Sequence, residues 1–256
     1  MKKINFTYAA IALIALSVTF SSCKDDKDDE PTPAAPISTS QKLSFHLHTN
    51  VGNVEAEYGV EYQQASGRKF NLADFRYYIS NIVLIKNDGS EYSLTGKVLL
   101  VSPTVDEYDL QSVPVGSYQG FKFMLGLDSA TNHTDPTTYA ATNPLAIQTP
   151  GIHWSWNSGY IFMKVEGQCD TTLAATGTPD YDYFYHIGLD GFKRTIDFTT
   201  AAFNVASGSD KELVLNFNLL QALSNVDMRI ENETHTMNNV PLATKIADNW
   251  QSAFTQ

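Results

Sequence analysis

Residues 76–90 read Arg-Tyr-Tyr-Ile-Ser-Asn-Ile-Val-Leu-Ile-Lys-Asn-Asp-Gly-Ser. The period is two. Tyr77, Ile79, Asn81, Val83 and Ile85 alternate with Tyr78, Ser80, Ile82 and Leu84, which is the pattern of a strand rather than a helix. The run ends in Asn87-Asp88-Gly89-Ser90, a turn signal, so a hairpin with Glu91 to Leu94 is expected. The same period recurs outward in both directions. In Lys42 to His48, Leu43, Phe45 and Leu47 share one face, while Ser44, His46 and His48 share the other. Lys97–Val101, Tyr118–Leu127, Tyr160–Glu166, Tyr181–Leu189 and Lys211–Leu219 read as further strands. Gly, Pro, Asn and Asp clusters separate them, and no amphipathic helices alternate with them. The expected fold is mainly β, an antiparallel sandwich or barrel-like arrangement. Leu242, Ile246, Trp250 and Phe254 recur every four residues after Pro241, so one short C-terminal helix is expected to dock there. Gln221 to Val226 reads as a helical turn.

Composition narrows the function. Apolar residues form 43% of the 256, enough for a folded core, and the net charge is −11. An acidic chain without a basic patch is repelled by a phosphate backbone, which argues against nucleic acid. No GxSxG, P-loop or dinucleotide glycine fingerprint is present.

The N-terminus reads as an address. Lys2 and Lys3 precede an uncharged, mostly apolar run from Phe6 to Phe20, short for a membrane span and right for a signal peptide. It ends in Phe20-Ser21-Ser22-Cys23, which resembles a lipobox. Residues 1–22 are therefore expected to be a lipoprotein signal peptide, with lipid on Cys23. Residues 23–40 hold KDDKDDE and PTPAAP, an acidic, Pro-rich tether with nothing apolar to dock. Lys24-Asp25-Asp26 also resembles a surface-export signal of some Gram-negative outer membranes. The expected location is the outer membrane, facing either the cell surface or the periplasm, and the folded domain is expected to span 41–256. With Cys23 lipidated, Cys169 has no disulfide partner and reads as inert.

The histidines carry the chemistry. His46 and His48, two apart in a strand, project from one face with backbones roughly 7 Å apart and can chelate one ion. His186 lies among the aromatics of Tyr183 to Gly188. His153 opens the run His153-Trp154-Ser155-Trp156, a packed corner or a metal site walled by oxidisable indoles. His235-Thr236-Met237 offers a nitrogen and a thioether suited to copper, but its neighbours Glu231, Asn232 and Glu233 make it read as an exposed loop. Two rival readings stay open. One is a β-sandwich lipoprotein presenting aromatic faces to glycans or a protein partner. The other is a copper redox enzyme, which would need an open coordination position and a substrate cleft.

Taken in order, several segments resemble the MbnP-like family of copper-binding proteins, the methanobactin-associated MbnP and its surface-copper relatives. They are Tyr77 to Leu84 with Asp88-Gly89; Gly116 to Tyr118 with Phe121 and Phe123; Leu125 to Ser129; Trp154-Ser155-Trp156-Asn157-Ser158-Gly159-Tyr160-Ile161-Phe162 with Glu166-Gly167; His186-Ile187-Gly188; and Ile246 to Asn249. The protein is read as a binding protein and not an enzyme, and the resemblance implies an extracytoplasmic copper protein rich in β-structure. It implies a site of two histidines and a tryptophan oxidised to kynurenine by a diheme peroxidase of the MauG type. Carried over by position, the histidines are His46 or His48 with His186. Trp154 and Trp156 are the candidate oxidised indoles near the metal, and a copper site without kynurenine stays open. His153 is the remaining candidate ligand.

Overall fold

A computed structural model describes residues 38–154 and 159–256. The signal peptide, Cys23, most of the tether and Trp156 lie outside the described residues. Among the described residues no helix is long and apolar enough to cross a membrane.

Two open sheets stack into a sandwich. The first is built on β1 (Ser40–Val51), with β2 (Val54–Glu55) as a short antiparallel neighbour. The second contains β3 (Asp74–Lys86). β4 (Glu107–Pro114) returns to the first sheet, antiparallel to β1. β5 (Gly116–Leu125), β6 (Ile161–Cys169), β7 (Tyr181–Gly188) and β8 (Arg194–Phe198) join the second. β9 (Lys211–Asn218) pairs with β1 in parallel. β10 (Glu233–Thr234) pairs in parallel with β7, and β11 (Phe254–Thr255) closes the first sheet against β9. The second sheet runs β8-β5-β3-β6-β7-β10. The architecture is thus mainly β and antiparallel apart from those two pairings. The sheets stay open, which makes it a sandwich and not a closed barrel.

The core lies between the sheets. Along β1, Leu43, Phe45, Leu47, Thr49 and Val51 are buried in strict alternation. Phe45 meets Phe121 and Phe123 of β5, with centroids 5.7 and 6.0 Å apart. Tyr77 of β3 meets Phe217 of β9 at 4.9 Å and Phe254 of β11 at 6.0 Å. These contacts fix the inner face of each sheet, and fully burying each such ring contributes about 1.5–3 kcal/mol.

Register then assigns the outer face of the second sheet. Met163 lies opposite both Tyr77 and Ile187, and Val165 opposite both Phe75 and Tyr185, so those rows point inward. Lys164 lies opposite Arg76 and His186, and Glu166 opposite Asp74 and Phe184. Directly opposed residues share a face, so these rows point away from the core.

The hairpin forms as expected. Glu91–Ser93 pairs back on β3, Gly89 turns at φ +82°, and Asp88 Oδ1 accepts from the Ser90 N–H at 2.9 Å. The alternation within β3 does not hold throughout. Asn81 sits exposed at φ +48°, at a register shift between Ser80 and Val83. The extra residue flips the faces, so Tyr77 and Ile79 are buried on one side of the bulge and Ile82 and Leu84 after it.

The C-terminal helix is shorter than its apolar period suggests. α1 (Val240–Asp248) buries Leu242 and Ile246, with the Asn239 side chain capping it and Pro241 in its first turn. The helix stops at Asn249, whose amide donates to the carbonyls of Ala222 and Ser224. Trp250–Ala253 forms a separate turn, and Phe254 pairs as strand with Phe217. The expected turn near 221–226 is Leu219–Ala222. The folded segment begins a little before Gln41: the Thr39 carbonyl accepts from Val115 N–H and that of Ser38 from Ser207 Oγ. Cys169 is fully buried, and that burial pushes its thiol up to about 11, so it carries no thiolate at neutral pH.

Candidate metal centres

The strand order decides which histidines meet. His46 and His48 sit on the outer face of β1, because Phe45 and Leu47 point inward. His186 sits on the outer face of β7, because Tyr185 and Ile187 point inward. The two positions lie on opposite outsides of the sandwich, with both sheets, themselves about 10 Å apart, between them. The N-terminal pair and His186 therefore do not converge on one ion. The structure thus does not bring together the histidines that the family resemblance pairs.

His153 is engaged with its own corner. Its Nδ1 donates to the Trp154 carbonyl at 3.0 Å and its Nε2 accepts from the Gly159 N–H at 3.3 Å. Its ring packs edge-on against Tyr160, 4.8 Å away. With both ring nitrogens bonded to backbone, it holds the corner together.

His186 does have an imidazole partner. β10 runs parallel to β7 with Phe184 opposite Glu233 and Tyr185 opposite Thr234, so the next step in register puts His235 beside His186. The two Nδ1 atoms are 2.8 Å apart. Behind His186, Nε2 is 2.7 Å from Glu166 Oε1; behind His235, Nε2 is 3.4 Å from Glu233 Oε1. A carboxylate behind each metal-facing imidazole is the usual means of fixing ring orientation and tautomer. Glu166 accepts, so His186 Nε2 carries the hydrogen and its Nδ1 presents a lone pair toward His235. Two nitrogens each about 2.0 Å from one ion lie about 2.8 Å apart at a right angle, close to the separation observed.

The surroundings hold this pair rigidly. Glu166 also meets Lys164 Nζ at 3.0 Å, and Lys164 meets Asp74 at 2.9 Å, with Arg76 closing the row on Asp74. Burial pushes the Glu166 carboxyl upward, but the bonds from His186 and Lys164 outweigh it and hold that group at about 2. Burial, and then the neighbouring His186, keep His235 below its usual value, so it is neutral at pH 7. The loop carrying His235 is clamped. Thr236 Oγ1 donates to the His186 carbonyl at 2.7 Å and accepts from the Gly188 N–H at 3.0 Å. Thr236 is buried at φ +67°, a conformation costing a β-branched residue about 1–3 kcal/mol. Those two bonds oppose that cost.

An indole reaches the same face. Gly188 follows His186 by two and shares its side of β7. A Cβ on Gly188 would meet the Trp154 ring and lie 2.6 Å from the Tyr160 carbonyl, so glycine is what lets the buried Trp154 lie over the strand. A hollow of about 320 Å³, lined by Asp180, Tyr181, Asp182, Phe184, Asn232 and Glu233, includes the residues two before each histidine, Phe184 and Glu233. Its carboxylates favour a cation.

A second group lies on the other sheet. His46 and His48 have ring centroids 4.5 Å apart. His46 Nδ1 bonds Glu107, which sits directly opposite on β4, and His48 Nδ1 is 2.8 Å from Glu55 of β2. His46, Glu107 and Glu212 offer donor atoms that all lie within 4.8 Å of one another. The bond that His46 donates to Glu107 is the main cause holding its imidazole above the ordinary value.

The aromatic residues that suggested a glycan face are mostly spent on the core. Tyr77, Tyr78, Tyr118, Tyr160, Tyr183 and Tyr185 are all buried; among the described residues Tyr58 and Tyr181 are the exposed large rings.

A family model described as MbnP matches residues 40–239. Among solved structures the chain is similar to MbnP from Methylosinus trichosporium, with a TM-score of 0.58 and 15% sequence identity over 82% of this chain and 88% of that one. No curated protein matches the chain.

Proposed function

The chain belongs to the MbnP family, and on that footing we propose that it binds copper through His186 and His235. The observation that carries the proposal is the approach of two Nδ1 atoms to 2.8 Å with a carboxylate behind each ring. Imidazole suits copper, and no thiolate cluster competes for it, since Cys169 is buried. Across the 2.8 Å approach one ring must give a hydrogen to the other. His186 is committed to Glu166 through Nε2, so His235 is the donor through Nδ1. To ligate, His235 moves that hydrogen to Nε2, where Glu233 stands 3.4 Å away to receive it. His186 needs no rearrangement. Copper held by these two residues would supply a redox-active, Lewis-acidic ion.

The role proposed is non-enzymatic: holding copper for uptake, storage or delivery. Lipid on Cys23 anchors the protein at the outer membrane, with residues 24–37 as tether. If Trp154 or Trp156 is converted to kynurenine, the oxidant comes from outside the chain, and a diheme peroxidase of the MauG type is the partner proposed.

Copper titration of the purified protein tests this reading, with His186→Ala and His235→Ala in parallel. One tight equivalent in the parent, weakened at least tenfold in each variant, supports it. A parent that binds no copper, or variants that bind as well as the parent, overturns it. Mass spectrometry of the peptide spanning 153–160 reads the indoles separately: two added oxygens, followed by hydrolytic loss of the formyl carbon as formate, mark kynurenine.

A further inference from the structure

We propose that His46, His48, Glu107 and Glu212 form a second metal site, for a divalent first-row cation, on the outer face of the first sheet. It is independent of the His186–His235 centre and lies on the opposite side of the sandwich.

Strand geometry brings these four side chains together. Ser44 pairs with Glu212 and His46 with Val214 on β9, while His46 pairs with Glu107 on β4. His46 and His48 share a face by alternation. Glu212 shares it because it lies opposite Ser44, and Glu107 because it lies opposite His46. Three strands of one sheet thus deliver two imidazoles and two carboxylates to one patch. The donor atoms of His46, Glu107 and Glu212 are already within 4.8 Å of one another. The ring of His48 stands 4.5 Å from that of His46. Exposed side chains on a fixed sheet close the remaining distance by small rotations, without backbone movement.

The donor set selects the ion. Two imidazoles with two carboxylates suit Cu2+ or Zn2+, whereas monovalent copper favours softer ligands. Glu55 stands behind His48 at 2.8 Å and fixes that ring as Glu166 fixes His186. Asp106 adds negative charge near His46. A bland account would make these bonds ordinary surface ion pairs. It leaves aside that donor atoms from three strands already lie within 4.8 Å of one another.

The test is made where the other centre has been removed. Zn2+ titration of the His186→Ala/His235→Ala protein is expected to give one equivalent. Adding His46→Ala and His48→Ala is expected to weaken Zn2+ binding at least tenfold. Both residues face outward, so the inner row Leu43, Phe45 and Leu47 is untouched, and an unchanged melting temperature checks the fold. Glu212→Gln, which leaves β1 unaltered, is expected to weaken binding at least threefold. The Cu2+ electron paramagnetic resonance spectrum of the same background protein should show mixed nitrogen and oxygen coordination. Absence of Zn2+ binding in the background protein, or a change of less than tenfold on removing His46 and His48, overturns the site. Neither result bears on the His186–His235 centre, whose ligands are absent throughout.

Discussion

Replacing Glu166 by Gln isolates the charge that organises the outer face of the second sheet. The substitution keeps the shape and a carbonyl oxygen for His186 Nε2, but removes the negative charge shared with Lys164. Both Lys164 and Asp74 have side chains only 7% exposed, and that of Glu166 is 22% exposed, so solvent screens this group little. Its carboxyl is lowered from 4.5 to about 2: burial pushes it up, and His186 and Lys164 outweigh that. At about 1.4 kcal/mol per tenfold change in proton affinity, the ionised form is stabilised by about 3 kcal/mol. A depressed carboxylate contributes stability that is fully present above the unfolded value and lost as pH falls through the folded one. The contribution is therefore whole at pH 7, starts to fall below about 4.5, and is about 1.4 kcal/mol at pH 3.

The assay is urea denaturation of the parent and Glu166→Gln proteins, with chelator present, at pH 7 and at pH 3. The expected gap is about 3 kcal/mol at pH 7, closing by more than half at pH 3. A gap below about 1 kcal/mol at pH 7 would refute the reasoning. So would a large gap that stays constant with pH, since Glu166 would then act by packing alone.

Three further outcomes are expected. Cys23→Ala should move the protein from the membrane fraction to the soluble fraction, because acyl chains are the proposed anchor; retention on membranes sinks the lipoprotein reading. Limited proteolysis should remove residues 24–37 and stop near Ser38 and Thr39, whose carbonyls are bonded to Ser207 and Val115; protection of the whole tether would show that it packs on something. Gly188→Ala should lower stability by about 1–3 kcal/mol and displace the Trp154 ring, read as a shift in indole fluorescence; an unchanged spectrum would mean the ring does not lie over that strand.

How far the sequence could be read follows from the range of the interaction involved. In β1 every inward residue from Leu43 to Leu47 is apolar and every outward one polar, so the face and the sandwich were legible within a few residues. In β3 the same reading fails at Asn81, because a bulge adds one residue without changing composition, and the left-handed backbone and the register shift there show it. The helix reading fails at Asn249 for a similar reason. The spacing of Ile246, Trp250 and Phe254 fits one helix, yet Asn249 is held by the distant carbonyls of Ala222 and Ser224 and Phe254 by strand β9.

The candidate centres show the same limit more sharply. His46 and His48 are neighbours by local alternation, so their pairing was visible as a spacing. His186 and His235 are 49 positions apart, and what joins them is a parallel register between β7 and a two-residue strand. Glu231, Asn232 and Glu233 made that segment read as solvent-exposed loop, although Thr234 and Thr236 are fully buried. The local signal available was the alternation itself: Thr234 and Thr236 fall on one side of His235, as Tyr185 and Ile187 fall on one side of His186. Two strands that each bury the residues flanking a histidine must, when paired in register, set those histidines side by side on the face left uncovered. That condition brings together two nitrogen donors that no spacing rule along the chain could relate, and it places the N-terminal histidines on a different surface.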